Sequence, residues 1–476
     1  MKDIKIKDIL EITGGTLFDI VDADKKDSLL DTAVTDIAID SREAKEGSLF
    51  AAIKGENVDA HKFIPQVAGI TRSILTEEDM DQVLSAAGVS ELPGNVAYIK
   101  VESTIGALQD IAAHIRESYK APVIGVTGSV GKTTTREMIT ASVASNLKTF
   151  HTMGNMNSQI GVPLTISKLL DEQTEAAVIE MGISEPGGMD KLTRMVRPDI
   201  AVVTMIGQAH IEFLKTREGI RDEKLRITGR MDENGALFLN ADDEMLYAMK
   251  GKTKVKTFYY GTRKDSDFRA ENIRFENGYN TYTYVHEATR LDVRLNVLGM
   301  HNVLNSLVAM AVADYMGLDL AKAAKSFESF EGMRQKIIHS SEGYVIIDDS
   351  YNASPDSMKA ALNVLRDMSV SGRKIAVLGD MFELGENSLA YHKEVGKYIV
   401  NDLFAKGSRI DEVITIGDMS KEISGYVKDN TDITVNSFDD KASATEYIKS
   451  IIKPEDVITL KASNGMKFAE IVEKLK

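Results

Sequence analysis

The stretch VIGVTGSVGKTTTREM (residues 123–138) decides the fold. A short apolar run enters the glycine-rich segment G-S-V-G-K-T-T. A helical pattern follows, with Met138, Ile139 and Val143 on its apolar face. Strand, glycine loop and helix in that order make a phosphate cradle. Glycines let backbone N–H groups close around oxygens, and the helix N-terminus adds a positive field. The loop comprises Gly125, Thr127, Gly128, Ser129, Val130, Gly131, Lys132, Thr133 and Thr134. The Lys132 ammonium suits the β- and γ-phosphates of ATP, and the Thr133 hydroxyl suits Mg²⁺. The usual pattern, G-x-x-x-x-G-K-[ST], would put its first glycine at Val126, whereas here it stands at Gly125. A plain glycine-rich turn is the alternative, but three elements in register favour a nucleotide site.

Outward from the loop, similar apolar runs recur at 176–181, 200–204, 375–378, 413–416 and 457–460. Each ends in a glycine or polar cluster and leads into an amphipathic segment, the pattern of parallel strands buried on both faces. Ligands of such sheets gather beyond the carboxyl ends of the strands. The first hundred residues differ, with short separate strands expected at 37–42, 48–55 and 95–100. Helices are expected at 104–119 and 305–316, a boundary near 327–334, and a new strand-and-helix series from 344. The expected fold class is α/β with three domains: a small mixed α/β domain (1–103), a central P-loop ATPase-like domain with a mostly parallel sheet (104–330), and a Rossmann-like α/β domain (331–476).

The chain has 476 residues, which fits several cores rather than one. Its 57 Lys and Arg against 72 Asp and Glu give a formal charge of −15, which argues against nucleic-acid and anionic-membrane partners. Cysteine is absent, so disulfides, thiolate metal sites and cysteine nucleophiles are excluded together. No apolar run approaches the ~18–20 residues of a membrane span, and the N-terminus lacks a signal-peptide core. A cytoplasmic protein is expected.

Several side chains beyond the loop carry chemistry. Glu180 ends an apolar strand, where a carboxylate needs a metal or a hydrogen-bond network. With Thr133 it would form a hard-oxygen Mg²⁺ site, although capping of the next helix is the alternative. Asn302 and Asn305 lie three apart on a helix, so both amides could meet one adenine edge; helix capping by Asn302 is the alternative. Asp349 lies at a strand end and faces ribose or phosphates on this reading, with Asn352 in the adjoining turn. D-S-Y-N-A-S-P is equally a good solvated turn. Taken alone, His210 is a surface or satisfied core histidine, and Lys224 a solvated lysine on a charged helix.

The loop G-x-x-G-x-x-G-K-T-T-T resembles that of the Mur ligases and their folylpolyglutamate synthetase relatives, and the resemblance runs through nearly the whole chain. TMGNMNSQIGVPLT (152–165) is similar to the family's T-x-G-N-x-N segment, AVIEMG (177–182) to its acidic strand end, VVTMIGQAHIEFL (202–214) to its histidine segment and LGMHNVLNSLVA (298–309) to G-x-H-N-x-x-N. DDSYNASPDSM (348–358) and LGDMFELGENS (378–388) resemble the branch that adds D-alanyl-D-alanine to UDP-N-acetylmuramoyl-tripeptide.

The resemblance implies an ATP-dependent amide ligase working through an acyl phosphate, with those two substrates as its partners, acting as a monomer in the cytoplasm. It implies two Mg²⁺ ions, with Thr133, Glu180, His210 and a carbamylated Lys224 as the metal set, Lys224 standing fourteen residues after His210. It implies that Arg334 reaches the ATP phosphates, and that Lys132, Lys224, His210 and Arg334 serve catalysis. Ser41, Arg42 and Lys54 become candidate contacts for UDP, and Asn155, Asn157 and Asn352 for substrate. Surface charge is the competing reading for the N-terminal three. Three positions depart from the family pattern: Met205 in T-M-I-G, and Ala462 and Asn464 in K-A-S-N. The last two bear on the choice of second substrate. A ligase for another amino acid or acceptor remains an alternative within the enzyme class, and a P-loop ATPase switch an alternative outside it.

Overall fold

A computed structural model describes residues 1, 4–18, 24–55, 58–171, 173–276, 279–332 and 335–476. Arg334 lies outside these described residues. Three sheets follow one another along the chain.

The central sheet is organised by its phosphate-loop strand. Val123–Thr127 is buried at all five positions and lies between the parallel strands Ala176–Glu180 and Ile200–Val203. Side chains alternate across a strand, so a strand buried on both faces feeds two cores. Ile124 and Val126 join Met138, Ile139 and Val143 of helix Lys132–Ala144. Val123 joins Leu108, Ile111 and Ile115 of helix Thr104–Ser118 on the other face. Ser103 caps that helix, its Oγ accepting the Gly106 N–H at 3.1 Å. Gly125 points into this second layer. A Cβ there would fall 3.0 Å from Met181 Sδ and 3.1 Å from Pro198 Cβ. Close packing thus gives the displaced glycine a physical reason.

The central sheet has nine strands. Ala236–Asn240, Lys256–Gly261 and Phe268–Glu276 continue it in parallel, and Tyr279–His286 and Thr289–Leu295 close its edge antiparallel. Sequence reading foresaw none of the strands between 236 and 295. Ala236–Asn240 is a buried apolar run that sequence reading passed over, whereas the strands from Phe268 to Leu295 alternate polar with aromatic or aliphatic residues and give no continuous apolar run.

The first sheet has five strands; its short strands at Asp36–Ala38, Ser48–Ala51 and Ala97–Lys100 occupy only part of each stretch expected from sequence. It shares a core with the central sheet through helix Thr104–Ser118. The third sheet has six strands, with Val345–Asp348, Lys374–Gly379, Glu412–Ile416 and Val457–Lys461 among them. Ile375 and Val377 face one helical layer, Ala376 and Leu378 the other. Helix Met300–Tyr315 starts five residues before the expected position, so Asn302 sits inside it rather than at its cap; Gly299 takes the cap. Among the described residues, no helix is long and apolar enough to cross a membrane.

Candidate active site

A cavity of about 1330 Å³ opens beyond the carboxyl ends of the central and third sheets. Its wall includes Ser129, Val130, Gly131, Lys132, Thr133, Thr134, Asn155, Asn157, Glu180, His210, Asn302, Asn305, Asp349 and Asn352. Gly125, Thr127, Gly128, Lys224, Ser41, Arg42 and Lys54 do not line it.

The loop is held from behind. Thr204 Oγ1 donates to the Val130 carbonyl at 2.5 Å, and the Ser129 N–H donates to the Met205 carbonyl at 2.9 Å. The departure at Met205 therefore leaves a backbone contact intact. A Cβ on Gly128 would fall 1.8 Å from Thr204 Oγ1, so only glycine fits. Gly131 (φ 85°) turns the chain into the helix, and Lys132 Nζ donates back to the Gly128 carbonyl at 2.8 Å.

Glu180 is fully buried, and it caps no helix. Its Oε1 accepts from Thr133 Oγ1 at 3.2 Å and from Asn157 Nδ2 at 2.7 Å, while Oε2 makes no hydrogen bond and lies 3.5 Å from Arg136 Nε. A carboxylate oxygen left over beside a threonine hydroxyl is a donor set that fits Mg²⁺. Asn305 Oδ1 accepts from Thr135 Oγ1 at 2.9 Å, and its Nδ2 donates to Asn302 Oδ1 at 3.2 Å. The Asn pair shares one face and braces the loop helix as well as lining the cavity.

Lys224 has 0% exposed surface, and its Nζ has no hydrogen-bond partner. Burial, reinforced by the positive charge of Lys132, pushes its ammonium well below the ordinary lysine range. The solvated lysine that plain sequence reading offers is therefore corrected. His210 has a left-handed backbone (φ 64°), and its Nδ1 lies 2.8 Å from Glu383 Oε2, outside hydrogen-bond alignment. Glu383 belongs to the third sheet's loops and is itself left-handed (φ 62°).

From the third sheet, Asp349 Oδ2 pairs with Lys461 Nζ at 2.8 Å, both side chains nearly buried. Lys461 also donates to the Asn352 carbonyl at 3.1 Å. Gln335 links the sheets: its Nε2 donates to Asp349 Oδ2 at 3.4 Å, and its Oε1 lies 3.1 Å from His301 Nε2. Burial lowers the His301 pKa. Lys461, Gln335, His301, Glu383 and Arg136 escaped sequence reading. Three of them stood in segments that carried a signal: Lys461 opens K-A-S-N, His301 is the histidine of LGMHNVLNSLVA, and Glu383 lies in LGDMFELGENS. Ala462 is fully buried, whereas Asn464 lines the cavity. In the first domain, Ser41 and Arg42 sit in a turn, with Arg42 exposed and bonded to Asp40 (Nε–Oδ1, 2.9 Å). Lys54 is exposed beside Asp59.

Comparison with known proteins adds three findings. Residues 126–313 match the Mur ligase middle domain, and residues 333–464 match the Mur ligase, glutamate ligase domain. The chain is 36% identical to the UDP-N-acetylmuramoyl-tripeptide–D-alanyl-D-alanine ligase of Bacillus subtilis (strain 168), over 99% of this chain and 98% of that one. It is 31% identical to the enzyme of that name from Escherichia coli (strain K12), over 98% and 99%. Among solved structures, MurF from Acinetobacter baumannii superposes with a TM-score of 0.86 at 27% identity, covering 99% and 98% of the two chains. MurF ligase from Thermotoga maritima in complex with ADP gives 0.79 at 26% identity, covering 93% and 97%.

Proposed function

The chain belongs to the Mur ligase family, and we propose that it uses ATP to join D-alanyl-D-alanine to UDP-N-acetylmuramoyl-tripeptide. The observation that carries this reading is one cavity lined by both a phosphate loop and the strand ends of a second α/β sheet. Two substrates can therefore meet over one nucleotide. The working units are 1–103 for the UDP-sugar, 104–330 for ATP, and 331–476 for the incoming dipeptide.

The terminal carboxylate of the tripeptide attacks the γ-phosphorus of ATP, giving an acyl phosphate and ADP. The dipeptide amine, having lost a proton, attacks the acyl carbon, and the tetrahedral intermediate expels phosphate as the amide forms. Catalysis of phosphoryl transfer is mostly positioning and charge neutralisation. Backbone N–H groups of residues 130–133 and the Lys132 ammonium receive the phosphates, and Arg334 adds a further cation. Asn302 and Asn305 face the base, and Asp349 the ribose or the phosphates. Asn155, Asn157 and Asn352 hold the peptide substrates, and Ser41, Arg42 and Lys54 the UDP. The third sheet closes over the reaction and excludes water.

Thr133 and Glu180 would hold one Mg²⁺, and His210 with Lys224 a second. Bound there, Mg²⁺ supplies positive charge to the phosphate oxygens and the attacking carboxylate. The buried amine of Lys224 is suited to carbamylation: its neutral form adds to CO₂, forming an N–C bond and releasing a proton. The product is an anion with two oxygen donors. Arg221 and Arg226 cannot substitute because they stay protonated. A monomer in the cytoplasm is the working form on this reading.

The test is mass spectrometry of products from a panel of UDP-muramoyl peptides incubated with ATP and D-alanyl-D-alanine. The tripeptide should gain the mass of the dipeptide less water. Extension with single amino acids but not with the dipeptide would contradict the assignment.

A further inference from the structure

Arg136 is the bulkiest fully buried side chain among the described residues, with 0% of its surface exposed. Arginine is almost never buried to this degree unless it is paired. It lies one helical turn past Lys132 on the phosphate-loop helix, and its guanidinium is spread over two carbonyls and two carboxylates. Nη1 donates to the Thr152 carbonyl, and Nη2 donates to the Gly154 carbonyl at 3.1 Å. Nε faces Glu180 Oε2 at 3.5 Å, and Nη1 lies 2.8 Å from Glu137 Oε1.

Both carbonyls belong to the turn 152–157, which carries Asn155 and Asn157 into the cavity. The ends of the turn are tied by backbone bonds, the Thr152 N–H to the Val178 carbonyl at 3.0 Å and the Gly182 N–H to the Asn157 carbonyl at 2.8 Å. Its tip is exposed at Met153, Gly154 and Asn155, and Gly154 is left-handed (φ 56°). Two further ties lead to Glu180. Thr152 Oγ1 accepts the Glu180 N–H at 3.0 Å, and Asn157 Nδ2 donates to Glu180 Oε1 at 2.7 Å.

We propose that Arg136 is a positioning residue, a buried brace that fixes the 152–157 turn in register with the phosphate loop and Glu180. It touches no substrate. It sets the distance between the wall that takes ATP and the wall that takes the carboxylate to be activated. This rests on the functional reading above only for the identity of that second substrate. Lysine would keep the charge but cannot bridge two carbonyls and a carboxylate, because it lacks the planar fork.

The experiment is hydrogen exchange on the full chain, with steady-state kinetics, for wild type and Arg136→Lys. Amides of 152–157 should exchange about tenfold faster in the variant, while those of 128–133 keep their protection. The KM for UDP-tripeptide should rise about tenfold and kcat should fall up to about 100-fold, with ATP binding changed by less than about twofold. If Arg136→Lys does not fold, Arg136→Gln, which keeps two N–H donors without the charge, is read the same way. Equal acceleration in both segments would make Arg136 a general packing residue and overturn the brace, as would unchanged exchange at 152–157. Exchange needs no substrate, so it still judges the brace if wild type ligates nothing, which would instead sink the functional reading.

Discussion

The two walls of the cavity are held in different ways. On the central sheet, Glu180 accepts from Thr133 and Asn157 and faces Arg136, and Asn305 accepts from Thr135, so two largely buried clusters stand behind the phosphate loop. On the third sheet's side, the cavity wall carries the buried ion pair Lys461 with Asp349 and a few reaches across the gap: Gln335 to His301, Glu383 to His210, and the Asp356 carboxylate to the Gln208 N–H at 3.3 Å. Buried hydrogen-bonded clusters hold their members firmly, whereas half-exposed contacts between sheets exchange readily. The phosphate wall is preorganised and the opposite wall is able to move, the division expected of a ligase whose third domain closes over its substrates.

Variants test that contrast at decreasing amplitude. Lys132→Ala should cut ligation by about 10³-fold with an unchanged thermal midpoint, because its ammonium serves phosphate rather than packing. Near wild-type turnover would remove the preorganised wall from the account. Lys224→Ala should lose about 100-fold in ligation and recover part of it with formate or acetate, which return a carboxylate to the vacated space. Full activity without any additive would remove the carbamate.

Lys461→Met strips the movable wall of its ion pair and leaves Asp349 buried without its cation. Removing one partner of such a pair costs about 3–5 kcal/mol, read as a lower denaturant midpoint for the third sheet. An unchanged midpoint would mean that the pair is hydrated and the wall is not organised by it. Glu383→Gln should be mildest. His210 is 23% and Glu383 56% exposed, so the contact contributes no more than about 1 kcal/mol. Its pH dependence has a definite sign. The contact with His210 lowers the Glu383 pKa from 4.5, so its contribution is full above that value and is lost as pH falls through the depressed one. Wild type minus Glu383→Gln stability should therefore shrink on acidification below about pH 4.5. A difference that grows there would assign the contact to another group.

The same contrast explains what could be read from sequence. The phosphate loop, Glu180 and the parallel strands at 123–127, 176–180, 200–203, 374–379 and 412–416 were legible because local rules govern them: continuous apolar runs, glycine turns and helix starts. The strands from 268 to 295 were not, since their alternating pattern depends on which face a neighbour covers. Lys461 and Asp349 lie 112 residues apart, and nothing local in either stretch announces the pair. Lys224 shows the limit most clearly: it has the charged-helix neighbourhood of a surface lysine, yet tertiary packing buries it fully.

The central claim is that the two walls bring a carboxylate to the γ-phosphate of ATP before the amine arrives. Labelling the terminal carboxylate of the UDP-tripeptide with ¹⁸O and analysing the phosphate released during ligation tests it directly. The account predicts one labelled oxygen transferred from carboxylate to inorganic phosphate per amide formed. Unlabelled phosphate accompanying full amide formation would contradict it.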